Sequence, residues 1–334
     1  MKNSLNECRS VNVFAICIAC AAAVFGSAGS MAQDYPAKPV QVVSESIVGS
    51  VGDTAIRLVA RRMSDNLGQQ VVVENRPGAQ GAIAAAAVKR AAPDGYTVFY
   101  SSTTGLVNAR FLMKNRPYDS LKDFSPVSAV IGTASFMVVN VDVPAISVKE
   151  LVELARRDPG KLAFGSTGLG SLFHLYGESV KYATGVDLTH VPYNAGNVGA
   201  AVNDIISGRI QVYFMSYSVL RAQLKTGRLR VLATMGANRY KRLLEVPSMT
   251  EALPNYQIPP SLYALLAPLG VPKPILERLS SEVKKGLQDP DVSAKLDELG
   301  IIPVGSTPEE LTAILTDAID VVGKITTAIG LKPD

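Results

Sequence analysis

The chain has 334 residues, with 33 Lys plus Arg against 29 Asp plus Glu, two His, three Cys, no Trp and 47% hydrophobic residues. That composition belongs to a globular protein and excludes the disordered and collagen-like classes, while the length predicts about two domains. The net charge of +4 comes without a dense Lys/Arg stripe or interleaved aromatics, which excludes a nucleic-acid footprint.

The first residues read as an export leader. Lys2 and Arg9 form a basic start, residues 11–25 are apolar apart from Asn12, and Ser30-Met31-Ala32 supplies small residues at the minus-three and minus-one positions of a cleavage site. The apolar run is shorter than the roughly 20 residues of a membrane-spanning helix. Neither Cys17 nor Cys20 suits lipidation, since Ile16 directly precedes the first and Cys17 stands three before the second. Residues 1–32 are therefore expected to be a signal peptide, and the mature protein to be periplasmic. Cys8, Cys17 and Cys20 all fall in the leader, which leaves no disulfide, thiol nucleophile or Cys-bound zinc. His174 and His190 are too few for a His-rich metal site, so neither metal nor cofactor is expected. After the leader, 31 basic residues face 28 acidic ones.

Along the rest of the chain, apolar runs of four to six residues alternate with helical patterns, which predicts an α/β fold with mainly parallel sheets. Val40–Ser44 reads as a first strand. In 53–67, Ile56, Val59, Met63 and Leu67 share one helical face and Arg57, Arg61 and Arg62 lie off it. Strands at 70–74 and 96–100 flank an alanine-rich helix at 83–91, with turns at Asn75-Arg76-Pro77-Gly78 and Pro93-Asp94-Gly95. Ser147 with Glu150, Ser248 with Glu251 and Thr307 with Glu310 have the spacing of capping boxes, and Pro308 suits a first helical position. Short strands follow at 162–165, 189–191, 212–214, 230–233 and 262–266. No low-complexity linker is visible, so two α/β lobes joined by crossing strands are expected, with a hinge and a cleft.

Open α/β sheets bind ligands outside the carboxyl ends of their strands. One such loop is Gly165-Ser166-Thr167-Gly168-Leu169-Gly170-Ser171, leading into a helix through Leu172, Phe173, His174 and Leu175. Its glycines let backbone N–H groups converge, and its hydroxyls and helix N-terminus suit an anion. The plainer alternative is a tight strand-to-helix turn. It has neither the Lys of a P-loop nor the spacing of a dinucleotide fingerprint. Ser101-Ser102-Thr103-Thr104-Gly105 is a second hydroxyl-rich loop. No G-x-S-x-G elbow exists, so an exported hydrolase would have to pair Ser102 or Ser171 with His174 or His190. A structural role is the simpler reading of each histidine, and paired carboxylates are absent from the candidate loops. The residues argue for binding without chemistry.

Several motifs occur in a fixed order. They are Tyr35-Pro36-Ala37-Lys38-Pro39, Val72-Val73-Glu74-Asn75-Arg76-Pro77-Gly78-Ala79, Ala92-Pro93-Asp94-Gly95-Tyr96-Thr97, Pro117-Tyr118-Asp119 and Lys122-Asp123-Phe124-Ser125-Pro126-Val127. The glycine loop, His190-Val191-Pro192-Tyr193 and Val304-Gly305-Ser306-Thr307-Pro308-Glu309-Glu310 follow. Together they resemble the tripartite tricarboxylate receptor family, the TctC or Bug periplasmic solute-binding proteins. The resemblance implies a monomeric clamshell with one lobe of residues 33–132 plus 253–334 and another of 133–252. It implies a small carboxylated ligand held between them for membrane permease subunits, or alternatively for a sensor ectodomain. By position, the ligand would meet Ser46, Ile47, Val48, Gly49, Ser50 and Asp53; Ser101, Ser102, Thr103 and Thr104; Gly165, Ser166, Thr167, Gly168, Gly170 and Ser171; and Tyr193, Ala195 and Gly196.

The chain departs from the family after its first strand. Where members usually have Pro-Phe-Pro-Pro-Gly-Gly-Gly-Thr-Asp, it reads Glu45-Ser46-Ile47-Val48-Gly49-Ser50-Val51-Gly52-Asp53 and keeps only Gly49 and Asp53. Glu45 is expected to join the site and bring negative charge to the cleft. Like charge disfavours a carboxylate, which would shift selectivity toward an amide, an amine or a less charged ligand. Asn194 stands where Lys is frequent and removes a cation from the same region.

Overall fold

A computed structural model describes residues 35–194, 197–331 and 333, so the expected leader, and Ala195 and Gly196, lie outside the described residues. Eleven described strands form two sheets. The first has the order β11-β4-β10-β3-β1-β2 and comprises β1 (Val40–Ser44), β2 (Val71–Asn75), β3 (Thr97–Ser102), β4 (Phe124–Thr133), β10 (Leu262–Pro268) and β11 (Ile301–Pro303). The second, β7-β6-β8-β5-β9, comprises β5 (Ser135–Asn140), β6 (Ala163–Ser166), β7 (Thr189–Pro192), β8 (Val212–Ser216) and β9 (Leu229–Thr234).

Both sheets are mixed, which corrects the expectation of mainly parallel ones. β1 runs parallel to β2 and β3, and β6 to β7 and β8, whereas β10, β11 and β5 pair antiparallel with their neighbours. β4 leaves the first sheet and, after the single residue Ala134, becomes β5 of the second; β10 and β11 run against the other strands of the first sheet, and β5 against the other strands of the second. The registers Ser102↔Tyr263, Gly132↔Leu262 and Ser135↔Ser216 put the carboxyl ends of β3, β4 and β8 at that crossing.

Each sheet has a core on both faces. Helix α1 (Val51–Leu67) lays Ile56, Val59 and Met63 on the first sheet, as its helical spacing predicts, beside Leu279 and Val283 of α9 (Lys273–Gln288) and Val292 and Leu296 of α10 (Pro290–Glu298). The opposite face packs alanine-rich α2 (Ala82–Lys89) and α11 (Pro308–Ala328) over Phe99 and Leu266. The second sheet is covered by α4 (Val148–Arg157) and α5 (Leu172–Thr184) on one face, and by α6 (Val198–Ile206) and α7 (Tyr217–Leu224) on the other. Each fully buried Leu, Ile or Phe contributes roughly 1.5–3 kcal/mol.

Ser248 and Thr307 form reciprocal capping boxes at α8 (Met249–Ala252) and at α11. Ser147 caps the N–H of Glu150, but the Glu150 carboxylate reaches one residue further back, to the N–H of Ile146 at 3.0 Å. The expected third box is therefore a cap without its return bond.

Candidate ligand-binding cleft

A cavity of about 540 Å³ opens where the strand ends of the two sheets meet. Ser102, Thr103 and Thr104 line it from the first sheet, with Leu112 of the short helix α3 (Ala109–Leu112). Thr167, Gly170 and Ser171 face them from the loop after β6, and Ser216, Tyr217 and Ser218 from the start of α7. Thr133, Ser135 and Ser261 border the crossing. Among the described residues that line the cavity there is no Lys, Arg, His, Asp or Glu. Any negative charge on a ligand must therefore be met by N–H groups, hydroxyls and helix ends.

The glycine loop lies at the cleft, but most of its backbone donors turn inward. The N–H of Gly168 goes to Ser166 Oγ (3.1 Å), that of Gly170 to His174 Nδ1 (3.0 Å) and that of Ser171 to the Gly168 carbonyl (3.2 Å). Gly168 and Gly170 have φ of 120° and 71°, so they serve the turn itself. A Cβ on Gly165 would lie 2.7 Å from Ile210 and 2.9 Å from Tyr213, so that glycine serves packing. The donors left for the cleft are in the first turn of α5, where Leu172 and Phe173 line the cavity and helical geometry supplies no partner for their N–H groups. Ser171 caps this helix by accepting the N–H of His174 (3.2 Å).

The segment after β1 contributes Val51 to the lining, and none of the expected residues from Glu45 to Asp53. Ile47 and Val48 are each 70% exposed. Gly49, Ser50 and Asp53 are committed to the start of α1. Ser50 is its N-cap, and buried Asp53 accepts from Gly49 N–H (2.9 Å), Arg57 Nε (3.0 Å) and Asn75 Nδ2 (2.8 Å). Burial opposes ionisation of Asp53, but these hydrogen bonds and the Arg57 charge outweigh it and hold the carboxyl below its usual range. Ser46 is buried beside Gly52, where an added Cβ would sit 2.7 Å from Ser46 Oγ.

Glu45 lies behind the lining, not within it. Its Oε1 accepts both the N–H (2.7 Å) and the hydroxyl (2.6 Å) of Ser102. Its Oε2 is shut from solvent with no hydrogen-bond partner. Burial pushes the carboxyl above its ordinary range, although the two bonds from Ser102 pull the other way. The expected negative charge at the cleft is thus replaced by a sealed carboxyl that burial biases toward its neutral form. Ser101 is likewise fully buried.

Tyr193 also stands off the lining, its hydroxyl donating to Asp204 (2.8 Å). Ser166 is fully buried and bonds His190 Nε2 at 2.7 Å. The two histidine rings stack at 4.1 Å, with Phe164 against His190 at 4.9 Å. Burial first, and then the neighbouring His174, lower the His190 pKa to about 4. His174 Nδ1 receives Gly170 N–H, and its Nε2 faces Glu178 at 3.7 Å. Among the described bonds, neither ring reaches the hydroxyl of Ser102 or Ser171; His190 is held by Ser166 and His174 by Gly170 and Glu178. The described residues contain no cluster of three metal-ligating side chains.

Sequence reasoning missed Ser216, Tyr217, Ser218, Thr133, Ser135, Ser261 and Tyr263 in the lining. A signal existed for Ser216, which follows the apolar run of β8 as a Ser N-cap follows a strand. The residues at the crossing became visible only once β4 and β5 were placed.

Two contacts cross the cleft directly. Asn108 Nδ2 donates to the Gly170 carbonyl (3.3 Å), and a Cβ on Gly170 would lie 2.4 Å from Leu112 Cδ1. At the crossing, Ala134 N–H donates to the Gly300 carbonyl (3.3 Å).

Known proteins match this architecture along nearly its full length. Residues 55–331 match the tripartite tricarboxylate transporter family receptor, TctC. A UPF0065 protein of the tcbD-tcbE intergenic region of Pseudomonas sp. strain P51 is 37% identical over 279 residues, 83% of this chain and 82% of that protein. The structure of Rpa4515 from R. palustris with adipate is 31% identical, covering 90% of this chain and all of that one, with a TM-score of 0.74. MatC from Rhodopseudomonas palustris with bound malate is 26% identical, covering 87% and 99%, with a TM-score of 0.68. No helix among the described residues is long and apolar enough to cross a membrane. The chain belongs to the tripartite tricarboxylate transporter receptor family of periplasmic solute-binding proteins.

Proposed function

We propose that this receptor closes two lobes, residues 33–132 with 253–334 and residues 133–252, on a small carboxylate-bearing ligand and presents the closed complex to membrane permease subunits. Residues 1–32 would direct export and be removed. The single observation that carries the reading is the uncharged, hydroxyl-lined cavity of about 540 Å³ into which the first turns of α5 and α7 open. Helix N-termini attract anions without a cationic side chain, and the volume suits a small organic acid. The adipate and malate carried by the two similar receptors support the same ligand class.

The lobe assignment follows the two sheets and the crossing at Ala134. A ligand seated between Ser102 and Ser171 gains contacts with both walls only when they approach, which draws the hinge equilibrium toward the closed form.

The test is a thermal-stability screen of residues 33–334, refolded once to strip carried-over ligand, against mono-, di- and tricarboxylates, amino acids and amides. A ligand at 100 times its Kd stabilises by about 2.7 kcal/mol. A clear shift with one or a few carboxylates is expected. Stabilisation by amides alone would refute the assigned class.

A further inference from the structure

We propose that Glu45 is a built-in occupant of the first lobe's anion position, and that it makes the receptor selective for ligands with one carboxylate and an uncharged far end. The inference rests on the receptor reading above and names the ligand within it. In the parallel ladder of β1 and β3, Glu45 N–H still bonds the Tyr100 carbonyl at 3.1 Å. The next donor of β3 is Ser102 N–H, at the carboxyl end of the strand, where open α/β sheets bind their ligands. Here that N–H and the Ser102 hydroxyl both converge on one oxygen, Glu45 Oε1.

The carboxyl is seated in a cradle shaped for it. A Cβ on Gly81 would fall 1.9 Å from Glu45 Oε2, and one on Gly105 would fall 2.4 Å from it. With its hydrogen committed to Glu45, the Ser102 hydroxyl turns lone pairs toward the cavity it lines. Its neighbour Thr103 is also committed, its hydroxyl lying 3.0 Å from the Pro260 carbonyl. The walls are therefore unlike. The second-sheet wall offers the N–H groups of Leu172 and Phe173 in the first turn of α5, and the first-sheet wall at Ser102 offers acceptors. One carboxylate suits the former, whereas a second carboxylate aimed at Ser102 would meet lone pairs backed by a carboxyl. A hydroxyl or amide N–H at the far end would be accepted there.

The experiment is isothermal titration of refolded residues 33–334, wild type, Glu45→Gln and Glu45→Ala, with hexanoate, 6-hydroxyhexanoate and adipate, which share one chain length. Wild type is expected to bind 6-hydroxyhexanoate at least tenfold more tightly than adipate. Glu45→Gln keeps an oxygen acceptor for Ser102 and should keep the ratio. Glu45→Ala frees both Ser102 donors, of which the hydroxyl can turn into the cavity, and should move the ratio tenfold or more toward adipate. Because Glu45→Ala could fail to fold, the wild-type ratio stands as a test by itself, and a preference for adipate overturns the proposal. Binding of both acids with a ratio independent of residue 45 overturns the proposal and leaves the receptor reading intact. Binding of none of the three acids to any variant, in a protein that no carboxylate stabilises, brings down both.

Discussion

Gly170→Ala separates what the glycine loop does for the fold from what it does for closure. Gly170 has φ of 71°, where an L-residue costs roughly 1–2 kcal/mol, and that cost is present whether the cleft is open or closed. A second cost belongs to the arrangement in which the two walls meet as described here, where the new Cβ would lie 2.4 Å and 2.6 Å from the two terminal carbons of Leu112 across the cavity. Forcing an extra methyl into such a contact costs about 1–3 kcal/mol, which weakens binding roughly 5–150-fold if it falls wholly on the closed state. Gly168→Ala is the control, since its φ of 120° is also strained but its nearest foreign atom is the Tyr193 carbonyl oxygen at 3.5 Å. The assay pairs chemical denaturation of the ligand-free protein with titration of the best-stabilising carboxylate. Both variants should lose stability, and only Gly170→Ala should lose most of its affinity. Adding Leu112→Ala should restore binding in Gly170→Ala but not its stability. Equal losses of affinity in the two glycine variants, or no rescue, would refute the account of closure.

Three further outcomes follow from other bonds. Asp53→Ala leaves Gly49 N–H, Arg57 and Asn75 without their shared acceptor, which should lower unfolding stability by about 1–3 kcal/mol in urea denaturation with little change in m. Since the fold lowers the Asp53 pKa, its contribution is present above the ordinary carboxylate range and is lost as pH falls. His190 binds its proton at about 4 in the fold against an ordinary 6.5, so the unfolded chain takes up a proton that the fold excludes between those values. Stability should fall as pH drops from 6.5 toward 4, and His190→Phe should flatten that part of the Tm profile. Ser171→Ala removes the cap of α5 and should cost about 1 kcal/mol of stability together with a measurable loss of carboxylate affinity by titration.

The periodic elements were legible in the sequence because one face of each decides them. Val40–Ser44 and the Ile56, Val59 and Met63 face of α1 needed only the alternation of apolar and polar positions. β4 and β5 escaped because Ser125, Pro126, Ser128 and Gly132 interrupt an otherwise buried run, and with them went the crossing between the two sheets. The loops after β3 and β6 were found from hydroxyls and glycines at strand ends, and both line the cavity. Which atom of a loop faces the cavity was not legible, because it depends on long-range partners. Gly170 N–H could have faced a ligand, but His174, one helical turn on, takes it. Glu45 looked like a cleft charge until Gly81, from a different turn, closed over it.

The most direct test of the central claim is hydrogen exchange, resolved to short peptides, of residues 33–334 with and without the carboxylate that stabilises the protein most. Closure on a ligand predicts joint protection of residues 101–112, 167–175 and 216–220, which carry the two walls of the cavity. Protection confined to one wall, or falling outside the cavity, would contradict the account.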